Sequence, residues 1–410
     1  MMKALVLAAG EGTRMRPLTA STPKPLLLTA GKPFLEHTLE ALKGAGIEDV
    51  FVLSGWMEDR LRERFRDGSG VGIRIRYLEQ KERRGTAHAV GMAGGELDED
   101  FLCVNGDIVV TAETVRQLLA FRQTHGQNVM TLVEVPNPRE FGVVVVDKDG
   151  AVQGIEEKPE RPSGNLINAG LYVFTPEIFR AIARTPPSSR GEYEITDTLR
   201  MLAAEKKVSA FVSGAPWVDV GRPWDLLRAN ELLLKGQKPE IRGEVEPMAT
   251  IKGPVSVGEG TVVRNGSYIV GPVSIGRGCE IGPNCYIRAS TTIGDSCKIG
   301  AGVEVKNSIV MNRTHVPHLN YVGDSIIGEN CNLGAGTKIA NLRLDERPVR
   351  ASLRGERVDT GQRKLGVIMG DNVKTGINCS IDVGTVIGEN SFIGPGAAVR
   401  GFVEPFSWIL

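Results

Sequence analysis

Residues 269–305 read IVGPVSIGRGCEIGPNCYIRASTTIGDSCKIGAGVEV, with an aliphatic side chain at every sixth place: Ile269, Ile275, Ile281, Ile287, Ile293, Ile299 and Val305. Neither the 3.6-residue period of a helix nor the two-residue alternation of an ordinary strand produces that spacing. A glycine-rich six-residue repeat describes a parallel β-helix, in which each hexad forms one short side of a coil and its aliphatic residue points inward. The series starts upstream at Ile251, Val257 and Val263 and runs on to Met311. After an interruption it resumes at Ile327, Leu333 and Ile339, and Met369, Ile381, Ile387, Ile393 and Val399 complete it. Five of the six cysteines (Cys279, Cys285, Cys297, Cys331, Cys379) stand two places before a repeat aliphatic, where small residues fill the corner of a coil. They and Cys103 read as reduced core thiols of a reducing compartment, because no C-x-x-C pair suggests zinc or redox chemistry.

Upstream of Leu234 short aliphatic runs alternate with helical patterns, as in an α/β domain. Strands are expected near Val50–Ser54, Phe101–Asn105 and Val129–Val135, and helices near Phe34–Ala45 and Pro223–Leu234. The chain therefore divides into residues 1–234, a linker at 235–250 marked by Lys235-Gly236-Gln237-Lys238-Pro239, and coils at 251–410. A piece at 342–367 interrupts the coils. It carries seven basic residues (Arg343, Arg347, Arg350, Arg354, Arg357, Arg363, Lys364) against four acids. A solvated hairpin accounts for it, and its positive balance also suits a phosphate or coenzyme A. Over the whole chain 49 basic and 49 acidic side chains cancel, so nothing favours nucleic acid or a membrane as partner. No targeting segment or long apolar run is visible, and the expected location is the cytoplasm.

At the other end, the apolar run Ala4–Ala9 breaks into Gly10-Glu11-Gly12-Thr13-Arg14, which reads as a buried strand feeding an anion-binding loop. The loop lacks the third glycine of a dinucleotide fingerprint and the Gly-Lys-Ser/Thr of a Walker A motif. Its full spelling, LAAGEGTRMRPLT at 7–19 followed by PKPL at 23–26, resembles the signature of the sugar-1-phosphate nucleotidylyltransferases. That resemblance implies a Rossmann-like α/β domain in which Gly10, Gly12 and Thr13 meet the nucleotide phosphates and Arg14 and Lys24 are catalytic cations. It makes Asp107, in Asn105-Gly106-Asp107, and Asp219, in Trp217-Val218-Asp219-Val220-Gly221, the carboxylates for Mg2+. Asp225 reads as a plain helix-start residue. Gln80, Gly85 and Thr86 fall where the family recognises a pyrimidine base, with UTP or dTTP as the nucleotide. Gly142, Glu157, Lys158 and Asn168 fall where it holds a hexose or hexosamine 1-phosphate. GEYEITD at 191–197 also matches, which adds Glu192 and Glu194, while Thr196 and Asp197 could equally cap a helix. Gln80 and Asp219 look more like thymidylyltransferases.

The repeat resembles the left-handed hexapeptide β-helix of acyltransferases, a fold that implies a homotrimer. Within it, His318-Leu319-Asn320-Tyr321-Val322-Gly323-Asp324 resembles the acetyltransferase half of the bifunctional N-acetylglucosamine-1-phosphate uridylyltransferase and glucosamine-1-phosphate acetyltransferase family. By that likeness His318 is the catalytic base and acetyl-CoA the co-substrate. Arg288, Lys306, Tyr321, Asn332, Ala335 and Asn341 contact the substrates. Isolated histidines such as His125 and His315 read as structural. The expected function is acetylation of glucosamine 1-phosphate followed by uridylyl transfer. Two rivals are a monofunctional nucleotidyltransferase with a β-helix scaffold and a sensor that binds without turnover.

Overall fold

The computed structural model describes residues 2–125, 127–148, 150–353 and 355–410, so Arg354 of the basic insert lies outside the described residues. The chain forms two compact units. The first comprises residues up to Glu11 together with Leu35–Asp219, and the second comprises Gly12–Phe34 together with Val220–Leu410. Among the described residues no helix is long and apolar enough to cross a membrane.

The first unit is built on a nine-stranded mixed sheet. Its central strand, Lys3–Leu7, is the aliphatic run read from the sequence, and Ala4, Leu5 and Val6 are fully buried, as a strand covered on both faces must be. It lies parallel to Asp49–Ser54 on one side and to Phe101–Asn105 on the other. Arg74–Glu79 extends the parallel set beyond Asp49–Ser54. The chain thus builds outward in one direction from Lys3–Leu7 and then returns to the opposite side. That reversal opens a crevice beyond the carboxyl ends of Lys3–Leu7 and Phe101–Asn105, the place where α/β sheets hold ligands. Leu166–Phe174 continues the sheet antiparallel to Phe101–Asn105 and also pairs with Asn128–Glu134 and Gly142–Val146. Phe101, Tyr172 and Phe174 pack together in the core beneath it. The expected strands are found within a residue of their observed ends, as is usual for element boundaries.

The second unit is a parallel β-helix with three faces, made of sheets of nine, eight and eight strands. Every strand pairs in parallel with its counterpart in the next coil, as in Val262–Val263 with Glu280–Ile281 and Tyr268 with Tyr286. It is the left-handed hexapeptide kind that the repeat resembles. The repeat aliphatics form one continuous core in which Val263, Ile269, Ile281, Ile287, Ile293 and Ile299 are fully buried. All six cysteines are free and buried, and Cys279 and Cys297 donate their thiols to the carbonyls of Gly294 and Met311 in the following coil. One position departs from the six-residue reading. Ile293 stacks on Val310, not Met311, and the interior then continues through Val316, Val322 and Ile327. The apparent interruption is a pair of shortened coils whose core is unbroken. The coils also begin before Ile251, since Glu244–Val245 already pairs with Val262–Val263.

The insert is a hairpin, Arg350–Leu353 with Glu356–Asp359. Two of its cations are balanced locally, Arg343 by Asp345 and Arg363 by Glu346.

Candidate active sites

In the first unit the crevice is lined from the strand ends. Gly106 N–H donates to Leu7 O at 2.9 Å, and a Cβ on Gly106 would come within 2.6 Å of that same oxygen, so only glycine lets the two strand ends close this tightly. Asp107 follows directly. Strand Ile108–Val109 then pairs antiparallel with Val218–Asp219, setting Asp219 opposite Ile108 and one residue from Asp107. Both aspartates are half-buried. Among the described residues no group of three or more His, Cys, Asp or Glu could hold a metal. Two neighbouring carboxylates nevertheless fit Mg2+, which takes one or two protein oxygens and fills its shell with water and substrate phosphates.

Gly10 is exposed, and the space where its Cβ would stand is open. Gln80 is buried, and its Nε2 donates to His88 Nδ1 at 2.9 Å. Gly85 has φ +110°, and Thr86 Oγ1 accepts from Ile195 N at 2.9 Å, which binds the loop to GEYEITD. On the sugar side Gly142 pairs in register with Glu157, and Asn168 holds Tyr172 OH at 2.7 Å and Gly170 N at 3.1 Å. Glu157 and Lys158 share a cavity of about 530 Å³ with Arg190, Glu194 and Asp197. Arg190 reaches Glu194 at 2.8 Å and Glu157 at 3.5 Å. Burial raises the Glu194 carboxyl above its ordinary value, opposed by Arg190. Glu192 is exposed and does not line this cavity. His88 and Arg190 escaped the sequence reading. Arg190, directly before GEYEITD, had a positional signal; His88 had none.

Gly12, Thr13, Arg14 and Lys24 belong to the second unit, on the loop Gly12–Phe34. Gly12 adopts φ +65° and its carbonyl accepts from Thr19 Oγ1 at 2.8 Å. The Lys24 Cβ lies 3.3 Å from where a Gly12 Cβ would be, so the turn brings Lys24 against the glycine. Arg14 is exposed on a short 3-10 turn, Thr13–Met15. Asp225 caps its own helix, Pro223–Gly236, by accepting from Arg222 N at 2.8 Å, which agrees with its reading as a helix-start residue.

On the β-helix, four successive coils bring Arg288, Lys306, Tyr321 and Asn341 to one face. Two of them, Lys306 and Asn341, share the partner Asp324, which is 4% exposed. It takes Lys306 Nζ at 2.8 Å and Asn307 Nδ2 at 2.7 Å, and also accepts from Asn341 Nδ2. The Asn341 amide in turn reaches Tyr321 OH at 3.2 Å. A Cβ on Gly323 would strike both that hydroxyl and that amide at 2.7 Å, so the glycine leaves the room they occupy. Arg288 is held by Glu304 at 2.9 Å. His318 is exposed at the adjoining corner, with its carbonyl accepting from Gly336 N, next to Ala335. Asn332 lies on the neighbouring face, in register with His315. A cavity of about 700 Å³ continues from Tyr321 past Lys338, Ser380 and Arg400. Asp324 closes the quoted motif, yet the sequence carries no sign that three side chains converge on it.

Both halves of the chain have counterparts among known proteins. The nucleotidyl transferase family matches residues 3–236 and the GMPPB C-terminal domain matches residues 269–365. The bifunctional protein GlmU of Methanocaldococcus jannaschii is 41% identical over 408 residues, covering 100% of this chain and 97% of its own. A bifunctional sugar-1-phosphate nucleotidylyltransferase/acetyltransferase from Sulfurisphaera tokodaii is 38% identical over 97% of both chains. A solved Bacillus anthracis structure, named for glucose-1-phosphate thymidylyl transfer, superposes with a TM-score of 0.53 at 28% identity, covering 57% of this chain and 95% of that one. The chain belongs to the family of bifunctional sugar-1-phosphate nucleotidylyltransferase/acetyltransferases.

Proposed function

We propose that the chain makes UDP-N-acetylglucosamine in two steps: acetyl transfer from acetyl-CoA to glucosamine 1-phosphate on the coils, then uridylyl transfer to the product with release of pyrophosphate. The observation that carries the two-step reading is the cluster of Lys306, Tyr321 and Asn341 around Asp324 beside an exposed His318. A buried ion pair adds little stability to a scaffold that apolar packing would not supply as well. In acetyl transfer the amine nitrogen attacks the thioester carbonyl, a C–N bond forms, and the C–S bond breaks to release the coenzyme A thiol. The imidazole of His318 takes the proton that the amine sheds. Arg288 and Lys306 face the acceptor's phosphate, Asn332 and Asn341 its hydroxyls, and Tyr321 and Ala335 border the acetyl donor.

Uridylyl transfer needs no general base, because the attacking phosphate oxygen is already an anion. It needs two anions positioned and the charge at the α-phosphorus neutralised. Arg14 and Lys24 do the latter, with backbone N–H groups at Gly10, Gly12 and Thr13 on the phosphates. Gln80, Gly85 and Thr86 read the pyrimidine, and Gly142, Glu157, Lys158 and Asn168 hold the sugar phosphate. Asp107 and Asp219 would hold Mg2+, which when bound offsets phosphate charge. Either UTP or dTTP suits the base-reading residues. The enzyme works in the cytoplasm as a homotrimer, with the two activities divided between residues 1–234 and 251–410.

Coenzyme A release from acetyl-CoA and glucosamine 1-phosphate tests this, with pyrophosphate release from UTP followed in parallel. His318→Ala is expected to lower the first by about 10²-fold or more and leave the second intact. Wild-type pyrophosphate release without any acetylation would reduce the coils to a scaffold.

A further inference from the structure

The three faces of the β-helix differ in what they turn outward. Two carry polar or charged side chains beside the buried aliphatic: Glu280, Lys298, His315 and Lys374 on one, Glu304, Tyr321 and Lys338 on the other. On the third face the corresponding column is Ser274, Thr292, Ile309, Ile326 and Ile368. Ser274 is 5% exposed and the other four are fully buried. None of the three isoleucines belongs to the interior core of the coils. Outward side chains lose their exposure only when something is seated on them.

The loop Gly12–Phe34 is fixed near both ends of this column, at one of them through the helix Pro223–Gly236. At one end Asn230, fully buried on that helix, joins three segments. Its Oδ1 accepts from Ala30 N of the loop at 2.8 Å and from Thr292 Oγ1 of the coil at 2.7 Å, while its Nδ2 donates to Ser290 O at 2.9 Å. Gln237 Nε2 donates to Ala30 O at 3.1 Å. At the other end Ser21 Oγ donates to Asp371 Oδ2, and a Cβ on Gly370 would lie 2.9 Å from the Pro17 ring. Asp371 is itself fixed by Glu329 N, which donates to its Oδ1 at 2.7 Å. Four strand-to-strand steps separate Ser274 from Ile368, a span of about 19 Å at ~4.8 Å per step. Lys24 lies on the part of the loop held between these anchors, and Arg14 lies just ahead of the Pro17 contact.

We propose that Asn230, Thr292 and Asp371 are positioning residues for nucleotidyl transfer, acting through the loop that carries Arg14 and Lys24, so that the third face of the β-helix is part of the nucleotidyltransferase machinery. This rests on the reading of Arg14 and Lys24 as the phosphate-facing cations. A loop of 3-10 turns has little structure of its own with which to hold two flexible side chains. The coils are a rigid ladder, and catalysis by charge placement is sensitive to displacements of about 1 Å.

The test uses full-length protein carrying Ser21→Ala and Thr292→Val together, which removes one hydroxyl at each anchor and leaves the Asn230 bond to Ala30 in place. Pyrophosphate release from UTP with N-acetylglucosamine 1-phosphate is expected to lose at least tenfold in kcat, with KM for the sugar phosphate within twofold. Coenzyme A release from acetyl-CoA and glucosamine 1-phosphate should stay within twofold. The pair Ser21→Thr with Thr292→Ser, which keeps both hydroxyls, should restore pyrophosphate release. Unchanged pyrophosphate release in the first variant overturns the proposal. So does a parallel fall of both activities with the melting temperature, since that marks an ordinary structural contact. Arg14→Ala and Lys24→Ala made alongside separate the two readings: if they retain full pyrophosphate release, it is the assignment of the cations that fails.

Discussion

Asp324 shows how much of a site can hang on one side chain. Its carboxylate is almost wholly buried and faces Lys306, Asn307 and Asn341 together. Removing it leaves Lys306, whose side chain is 17% exposed, without its counter-charge, and breaking a buried pair from one side costs about 3–5 kcal/mol. Asp324→Ala is therefore expected to lower stability by an amount of that order in urea titration and to reduce kcat/KM for acetyl transfer more than tenfold. Asp225 makes the opposite case. Burial raises its carboxyl from 3.8 to about 6 against the pull of Arg228, Arg222 and Lys24. The folded state thus holds this proton more tightly than the unfolded chain. The resulting stability is complete below about pH 4 and is lost as pH rises through 6, on the order of 2–3 kcal/mol. Asp225→Asn keeps an oxygen for Arg222 N and removes the charge. Its melting temperature should exceed the wild type at pH 7.5, and the gap should close at pH 4.5.

At the scale of elements, the interior aliphatics were legible because a coil allows only one inward position per side, and that position admits little else. Ile251 through Val305 could be assigned by counting alone. Counting failed at Met311 because a coil can lose one residue at a corner while its core continues through Val310, Val316 and Val322. The outward residues of the third face were written in the sequence as apolar pairs, Ile309-Val310, Ile326-Ile327 and Ile368-Met369, but what covers them involves loops far away in the chain. The glycine loop and the paired placement of Asp107 and Asp219 were legible through their family spelling, whereas the contacts of His88, Arg190 and Asp324 are recorded by no short motif. Stacked coils communicate mainly with their neighbours. Ile299→Ala, expected to cost about 2–5 kcal/mol, should therefore raise amide exchange in the adjoining coils well before it does in the nine-stranded sheet, as hydrogen-exchange mass spectrometry would read.

At the scale of the whole molecule, the balanced charge of the chain sets no preference among partners, and anions must be met by particular clusters of side chains. The grouping of Gly12–Phe34 with the coils could not be found by dividing the sequence in two, because its anchors are among the most distant contacts the chain makes: Ser21 and Asp371 are 350 residues apart. That separation has a consequence in time. A ribosome adds roughly 5–20 residues per second, so the loop emerges tens of seconds before Asp371 exists. The first sheet can fold during that wait while the loop remains unseated. On the proposed anchoring, a nascent chain lacks a fully positioned Arg14 and Lys24 until nearly its last coil has been made, and a prematurely terminated product would turn over slowly.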